Sequence, residues 1–291
     1  MKQKNWHWWR RRLINLQELQ GHLQKELHKH KIERPASTSL IIISHVLKKP
    51  KSWVLTHSEY APQENETSTI QRKINQINKG VPLPYVLGTW EFFGKSYKVT
   101  PDVLIPRPET ESLVEKAIEH LNKFNPAKVV DVGTGSGVIA ISLAEASPSS
   151  EVLALDLSYA ALRVASENAV VHHQTHIQFV QADLFTPIRT KFDLIAANLP
   201  YIPSQTLNQL EISRWEPRLA LDGGETGLEI IRQLLVQARD YLASPGVILL
   251  EIEASLGGET LEASKTAFPA AHCHLYQDLS GRDRIIEIMQ L

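Results

Sequence analysis

The segment KVVDVGTGSGVIAISLAEA, residues 128–146, decides the fold class. It passes from a short apolar stretch, Lys128 to Gly133, through further glycines into a helical pattern that starts at Val138. Glycines allow a tight turn at the end of a strand and let the backbone approach a ligand closely. We therefore interpret this segment as a strand, a ligand-contacting turn and a helix.

Strand and helix patterns alternate on both sides of this unit. Apolar runs predict strands at 128–133, 151–156, 177–183, 192–198, 246–252, 272–277 and 284–290. Helical patterns cover 109–121, 138–146, 158–172 and 227–242. This order predicts an α/β fold with a Rossmann-like, doubly wound, mostly parallel sheet and a late antiparallel strand. In such sheets ligands bind beyond the carboxyl ends of the strands.

The first third of the chain is helical instead. Leucines 16, 19, 23 and 27 form one stripe of an amphipathic helix. Residues 39–47 could form a buried helix or a strand, and the polar helical patterns on both sides favour a helix; residues 71–80 predict a further helix. Residues 81–110 then hold five prolines, and WEFFGKSYKVT, residues 90–100, predicts a hairpin that turns near Gly94 and Lys95. We predict a helical domain over 1–88, a hairpin linker over 89–106 and an α/β domain over 107–291; the family resemblance given below implies substrate recognition for the first and catalysis for the last.

Composition excludes several classes of protein. A net charge of −1 argues against binding nucleic acid through bulk charge. No apolar run reaches the about 18 residues of a membrane helix, and the basic start lacks the features of a secretory signal. Cys273 is the single cysteine, which indicates a reducing cytoplasm. The cluster of histidines 172, 173 and 176 lacks further ligands nearby, so we expect no metal site.

The glycine turn has the spacing G-x-G-x-G rather than the G-x-G-x-x-G of pyrophosphate sites. Asp156 follows 23 residues after Gly133, where a carboxylate can accept hydrogen bonds from both ribose hydroxyls. Asp183 ends the third predicted strand and can accept from an adenine amino group. These features favour a nucleoside without a diphosphate, and S-adenosylmethionine is the candidate. The alternative is that the glycines only form a turn and that Asp156 is a solvated strand end.

The fourth strand ends in NLPYIP, residues 198–203. The Asn198 side-chain oxygen and a backbone carbonyl at Leu199 or Pro200 could hold both N–H groups of a planar amide or amino group. Pro200 stiffens the turn, and the Tyr201 ring could lie against the flat face of the acceptor. Asn and Pro also form ordinary turns, so this segment predicts a methyl-acceptor site only in combination with the glycine turn.

Five segments, in order along the chain, resemble the HemK/PrmC family of release factor glutamine methyltransferases. They are IPRPETESLVE (105–115), DVGTGSG (131–137), NLPYIP (198–203), EPRLALDGG (216–224) and DLSGRDR (278–284). The resemblance implies methyl transfer from S-adenosylmethionine, with S-adenosylhomocysteine as product, to the glutamine amide of the GGQ motif in class I release factors. It also implies a cytoplasmic enzyme, and we expect a monomer.

The resemblance implies roles for individual residues as well. The donor would be lined by Gly133, Thr134, Gly135, Ser136 and Gly137, with Asp156 at the ribose, Asp183 and Leu184 flanking the adenine, and Asn198 beside the methyl group. The glutamine would be received by Asn198, Leu199, Pro200 and Tyr201, with Asn198, Pro200 and Tyr201 as the catalytic set. Arg107 and Pro108 would lie near the pocket mouth.

Two positions depart from the family pattern. Leu199 replaces the usual first proline of the motif, which predicts a slightly freer turn, and Leu184 stands where some relatives carry an aromatic residue. The first 34 residues also carry an excess of six basic over acidic residues, interleaved with tryptophans 6, 8 and 9. This terminus could meet an acidic partner or RNA, or it could simply be solvated.

Three other functions remain open from the residues alone. A nucleic-acid amino-methyltransferase could use the same turn, although the neutral charge and the matches at 105–115 and 216–224 disfavour direct nucleic-acid binding. A donor-binding scaffold without turnover is suggested only by Leu199. A dinucleotide oxidoreductase is disfavoured by the glycine spacing.

Overall fold

The structure, a computed structural model, describes residues 14–123, 127–186 and 188–291. It divides into two compact units, one ending at Gly88 and the other beginning at Thr89. The tryptophans at 6, 8 and 9 lie outside the described residues. Over the described ranges, no helix has both the length and the apolar character needed to span a bilayer.

The first unit is helical. Its helices are α1 (Leu16–Lys29), α2 (Pro35–Leu47), α3 (Lys51–Thr56), α4 (Glu64–Ile77) and α5 (Leu83–Leu87). The predicted leucine stripe of α1 is buried, and the ambiguous apolar segment 39–47 is helical, as predicted, because it lies within α2. Asn15 caps α1 by accepting a hydrogen bond from the Glu18 amide. The third predicted helix begins earlier than expected, since α4 starts at Glu64.

The second unit begins with a hairpin. Strands β1 (Thr89–Phe92) and β2 (Lys95–Lys98) pair antiparallel, so the predicted hairpin is present. Phe92 and Tyr97 are almost completely buried and pack into the same core as helix α6 (Glu109–Leu121). Whether residues 89–106 act as a linker stays a prediction.

A seven-stranded sheet forms the centre of this unit. Its strands are β3 (Lys128–Val132), β4 (Glu151–Asp156), β5 (Gln178–Gln181), β6 (Phe192–Asn198), β7 (Leu242–Glu251), β8 (His272–Gln277) and β9 (Asp283–Gln290). The spatial order is β5-β4-β3-β6-β7-β9-β8, with β9 antiparallel to both neighbours and the other pairs parallel. The predicted fold class is confirmed.

Helices cover both faces of the sheet. Besides α6, the second unit contains α7 (Val138–Ala146), α8 (Tyr159–Val171), the short α9 (Ser204–Leu207), α10 (Glu229–Tyr241) and α11 (Gly257–Ala267). Along β6, Leu194 and Ala196 pack into one core, and Ile195 and Ala197 pack into the other. A strand buried on both faces must be apolar at successive positions, which explains the continuous run FDLIAA.

In the second unit, β5, β7 and α11 differ from the sequence prediction. Strand β5 ends at Gln181, so Asp183 lies in the following turn rather than at the strand end. Strand β7 starts at Leu242 instead of Gly246, because Leu242 pairs with Phe192 across a register shift. Helix α11 was not predicted, because GGETLEASKTA begins with two glycines and carries few apolar residues.

Candidate functional site

A cavity opens beyond the carboxyl ends of β3, β4 and β6, where the strand order switches between β3 and β6. Four segments of the second unit form much of its wall: the glycine turn, the end of β4, the turn after β5 and the end of β6. The predicted residues that line it are Arg107, Gly133, Thr134, Gly135, Ser136, Asp156, Asp183, Leu184, Asn198, Leu199 and Pro200. The fold thus brings distant parts of the sequence to one place, as the rule for doubly wound sheets predicts.

The glycine turn owes its shape to left-handed backbone conformations at Gly133, Gly135 and Gly137, with φ of 76°, 55° and 84°. A Cβ atom at Gly133 would lie 3.1 Å from the Leu199 side chain. Gly137 does not appear in the cavity wall, and a Cβ atom there would lie 3.0 Å from the Ala165 Cβ. Gly137 therefore serves the packing of α7 against α8, and its contact with the donor stays a prediction.

The buried side chain of Asp131, on β3, stabilises the glycine turn by hydrogen bonds. Asp131 accepts hydrogen bonds at one oxygen from the Thr134 hydroxyl, at 2.6 Å, and from the Ala140 amide, at 3.1 Å. Burial raises the pKa of Asp131 to about 7, against the effect of these two donors. The contacts join the end of β3 to the start of α7 and fix the turn between them.

Asp156 connects the end of β4 to the same turn. Its two oxygens accept from the Gly135 amide at 2.9 Å and from the Ser158 amide at 2.8 Å. Burial raises its pKa, although the backbone donors favour the ionised form. Each oxygen retains a further lone pair, so the carboxylate can still accept from a ligand in the cavity.

The turn after β5 supplies a mostly apolar part of the wall. Asp183 and Thr186 form an isolated bridge, and Leu184 has a φ of 51° and is 7% exposed. Both Asp183 and Leu184 line the cavity, as predicted from the sequence. Their aliphatic and carboxylate groups are suited to an aromatic base that carries an amino group.

The turn NLPYIP adjoins the glycine turn. Asn198 is the last residue of β6, and Leu199 is 5% exposed because it packs against Gly133. Tyr201 lines a smaller adjoining pocket together with Arg107 rather than the main cavity. Burial, followed by the negative charge of Glu251, raises the pKa of Tyr201 to about 12, so its hydroxyl stays protonated near neutral pH.

The segment EPRLALDGG supports this turn from behind. The Ile202 amide donates to the Leu221 carbonyl at 3.1 Å, and the Gly223 amide donates to the Ile202 carbonyl at 2.9 Å. A Cβ atom at Gly223 would lie 2.7 Å from the Tyr201 Cα, and one at Gly227 would lie 2.4 Å from the Tyr201 carbonyl oxygen. Glycine is therefore required where these two backbones meet.

The segment IPRPET is attached to EPRLALDGG by an ion pair. Glu216 is buried, and it accepts from Arg107 Nη2 at 2.6 Å and from the Ile105 amide at 3.1 Å. Arg107 lines both pockets, while Pro108 precedes the first residue of α6 and lines neither. The sequence analysis matched both segments to a family but did not predict this pairing.

Two further residues beside Asn198 were missed. Thr110 accepts a hydrogen bond from Asn198 Nδ2 at 3.1 Å, and Glu251 is the partner of Asn198 in the β6–β7 ladder. Glu251 is 1% exposed, and burial raises its pKa to about 7. A glutamate inside the apolar run GVILLEI was the available sequence signal, since buried carboxylates are rare without a role.

Comparison with known proteins identifies two matching family models. Residues 18–88 match the PrmC N-terminal domain, and residues 112–213 match the methyltransferase small domain. Release factor glutamine methyltransferase of Moorella thermoacetica is 36% identical over 276 residues, which cover 93% of this chain and 97% of that protein. The protein of the same name from Enterococcus faecalis is 38% identical, and the match covers 80% of this chain and 84% of that protein.

A solved structure shares the fold of the second unit. The T. thermophilus 16S rRNA N2 G1207 methyltransferase (RsmC), in complex with AdoMet and guanosine, matches with a TM-score of 0.52 at 17% identity. The match covers 70% of this chain and 50% of that chain. At this identity the similarity concerns the fold alone.

We predict that Gly227→Ala destabilises the protein more than Gly281→Ala does. Both glycines have positive φ, 87° and 75°, but only Gly227 would place a Cβ atom against another residue within 4 Å. Both variants carry the strain of the left-handed conformation, so the clash with Tyr201 should cost Gly227→Ala roughly 1–3 kcal/mol more. Urea unfolding measures the difference, and equal losses would show that residues 223–227 do not constrain the turn.

We also predict that Glu251→Gln becomes more stable relative to the wild type as the pH rises. Because burial raises the pKa of Glu251 from 4.5 to about 7, the folded state binds this proton more tightly than the unfolded chain does. Ionisation therefore lowers the free energy of unfolding as the pH rises from about 4.5 through about 7. Between pH 5 and pH 8 the wild type should lose roughly 2–3 kcal/mol more than the variant.

The control for this prediction is the exposed Glu225, whose replacement by Gln should leave the pH dependence of the wild type almost unchanged. Urea unfolding of the three proteins at both pH values gives the comparison. If the free energies of unfolding of the wild type and of Glu251→Gln changed equally with pH, the assignment of a raised pKa to the buried Glu251 would be contradicted.

Proposed function

Because the chain belongs to the PrmC family of release factor glutamine methyltransferases, we propose that it methylates the glutamine side-chain amide in the GGQ motif of class I peptide chain release factors. The methyl donor in this proposal is S-adenosylmethionine, and the product is S-adenosylhomocysteine. The observation that carries the proposal is the side-by-side position of the glycine turn and the NLPYIP turn in one cavity.

The residues around the cavity fit this donor. Gly135 leaves its backbone open to the cavity, since a Cβ atom there would meet nothing closer than 4.0 Å, and Asp156 offers oxygen acceptors at the end of β4. We assign the donor to the turn 133–136, its ribose to Asp156, and its adenine to Asp183 and Leu184. The donor supplies an electrophilic methyl group bound to a positively charged sulfur.

The NLPYIP turn then has to orient a poor nucleophile. The nitrogen of an amide is weakly nucleophilic because its lone pair is delocalised, so positioning makes the main contribution to the rate. In our proposal Asn198 Oδ1 accepts from one N–H group of the substrate amide, and the carbonyl of Leu199 or Pro200 accepts from the other. Tyr201 packs against the amide, and the nitrogen releases its extra proton to solvent after methylation.

The wider setting follows from the family. We propose that the first unit, matched to the PrmC N-terminal domain over 18–88, contributes to recognition of the release factor. We propose a cytoplasmic monomer that does not bind nucleic acid directly, in keeping with the net charge of −1. An RNA contact by the basic N-terminus would appear as salt-sensitive binding to bare RNA.

The direct experiment is incubation with a release factor and S-adenosylmethionine carrying an isotopically labelled methyl group, followed by mass mapping of the GGQ peptide. The proposal expects one labelled methyl group on the glutamine side chain. Label on RNA or DNA, with none on the release factor, would favour a nucleic-acid methyltransferase. Donor binding without transfer to any release factor would favour a scaffold.

We predict that Asn198→Ala lowers kcat by roughly 10²–10³, by analogy with the loss of one preorganised hydrogen-bonding group. The affinity for S-adenosylmethionine should stay largely intact, because the ribose and adenine contacts assigned to Asp156, Asp183 and Leu184 lie elsewhere in the cavity. Steady-state kinetics with the release factor and calorimetric titration of the donor separate the two effects. Turnover close to that of the wild type would contradict the role assigned to Asn198.

For Asp156→Ala we predict a donor Kd that is weaker by roughly 10–100-fold, since a carboxylate that holds ribose hydroxyls contributes charge-assisted hydrogen bonds. Asp240→Ala, at an exposed position of α10, is the matched control and should bind the donor like the wild type. An unchanged Kd in Asp156→Ala would remove Asp156 from the ribose site.

A further inference from the structure

The ends of two strands and the first turn of one helix converge behind Asn198. In the parallel ladder between β6 and β7, Asn198 lies opposite Glu251. Helix α6 supplies Thr110, which is 3% exposed and accepts a hydrogen bond from Asn198 Nδ2 at 3.1 Å. The matched segment IPRPET thus reaches the proposed acceptor site through its threonine.

Glu251 has unused capacity to accept hydrogen bonds. Both of its carboxylate oxygens are buried, and neither accepts a hydrogen bond of ordinary length and angle within the part of the chain that the structure describes. The Thr110 hydroxyl and the Asn198 amide face this carboxyl group and lower its pKa against the effect of burial. The positive charge of Arg284 also lowers this pKa; its Nη1 and Nη2 atoms contact the Ile252 carbonyl at 3.4 Å and Asp278 at 3.3 Å, while its buried Nε makes no hydrogen bond to a described residue.

The donors and acceptors of Glu251, Thr110 and Asn198 together determine which way the Asn198 amide is turned. Above its pKa of about 7 Glu251 is ionised and only accepts hydrogen bonds, so the single O–H of Thr110 is then best directed toward Glu251. The oxygen of Thr110 then has only lone pairs to offer Asn198, which must present its NH₂ group. With Nδ2 turned toward Thr110, the amide oxygen Oδ1 is left for a ligand in the cavity.

We propose that Glu251 and Thr110 are positioning residues that fix the amide of Asn198 with its oxygen, rather than its nitrogen, toward the methyl acceptor. The inference rests on the proposed function, because only an acceptor that carries N–H groups requires an oxygen at this position. A flipped Asn198 would place its NH₂ group against the NH₂ group of the substrate. The two groups would then repel each other, and the nucleophile would lose one of its two holding contacts.

A double-mutant cycle tests this role. Thr110→Val removes the hydroxyl while keeping the shape of the side chain, and Thr110→Ser keeps the hydroxyl and is the matched control. Both are measured alone and in the Asn198→Ala background, by single-turnover methyl transfer from labelled S-adenosylmethionine to a release factor. Thermal unfolding and donor titration accompany each variant. Glu251→Gln enters the same cycle, because a carboxamide both donates and accepts and no longer imposes one direction.

We expect Thr110→Val and Glu251→Gln each to lower the methyl-transfer rate about tenfold, with the donor Kd within about twofold of the wild type. Thr110→Ser should stay within about threefold of the wild type. In the Asn198→Ala background neither substitution should lower the rate further, since both act through the Asn198 amide. If Thr110→Val fails to fold, the cycle that combines Glu251→Gln with Asn198→Ala tests by itself whether the loss of rate depends on the Asn198 side chain.

Two results would overturn the inference. One is a wild-type rate in Thr110→Val and Glu251→Gln. The other is a loss that is equally large in the presence and absence of the Asn198 side chain, because additive losses indicate a general structural role. If the wild type itself transfers no methyl group to a release factor, the proposed function fails instead, and the two failures are thereby distinguished.

Discussion

The pairing of β3 with β6 is the constraint on which the site depends. Val132 lies opposite Ala197 in this ladder, so the residues that follow, Gly133 and Asn198, leave the sheet side by side. The chain reaches this arrangement by adding β4 and β5 on one side of β3 before it returns to place β6 on the other. Two cavity-lining residues separated by 65 positions in sequence thereby become neighbours at the switch in strand order.

A second layer of contacts then fixes the turn that β6 ends in. The loop over 216–227 lies so close to the NLPYIP backbone that glycine is needed at positions 223 and 227. Glu216 joins this loop to Arg107 in the segment 105–110. Thr110, in the same segment, accepts a hydrogen bond from Asn198. Leu199 was expected to leave a freer turn, but its side chain is buried against Gly133, so packing replaces part of the rigidity that proline would supply.

The sequence was sufficient for the features that depend on local pattern and strand polarity. Buried strands such as FDLIAAN are recognisable because both faces are covered, and the parallel order puts Asp156, the glycine turn and Asn198 at one edge. The tertiary contacts were not predictable. Glu216 carries no signal in the sequence and Glu251 stands out only by its place in an apolar run, so only the fold shows that one lies beside Arg107 and the other opposite Asn198. Gly137 was assigned to the donor by resemblance to the family, and its packing against Ala165 could not be predicted from the sequence.

The most direct measurement is a crystal structure of the protein with S-adenosylmethionine bound. The account predicts that the donor occupies the cavity along residues 133–136 and 156, with its methyl carbon directed toward Asn198 and the amide oxygen of Asn198 facing the space beside it. A methyl carbon that points away from Asn198, or that is separated from it by protein atoms, would contradict the account.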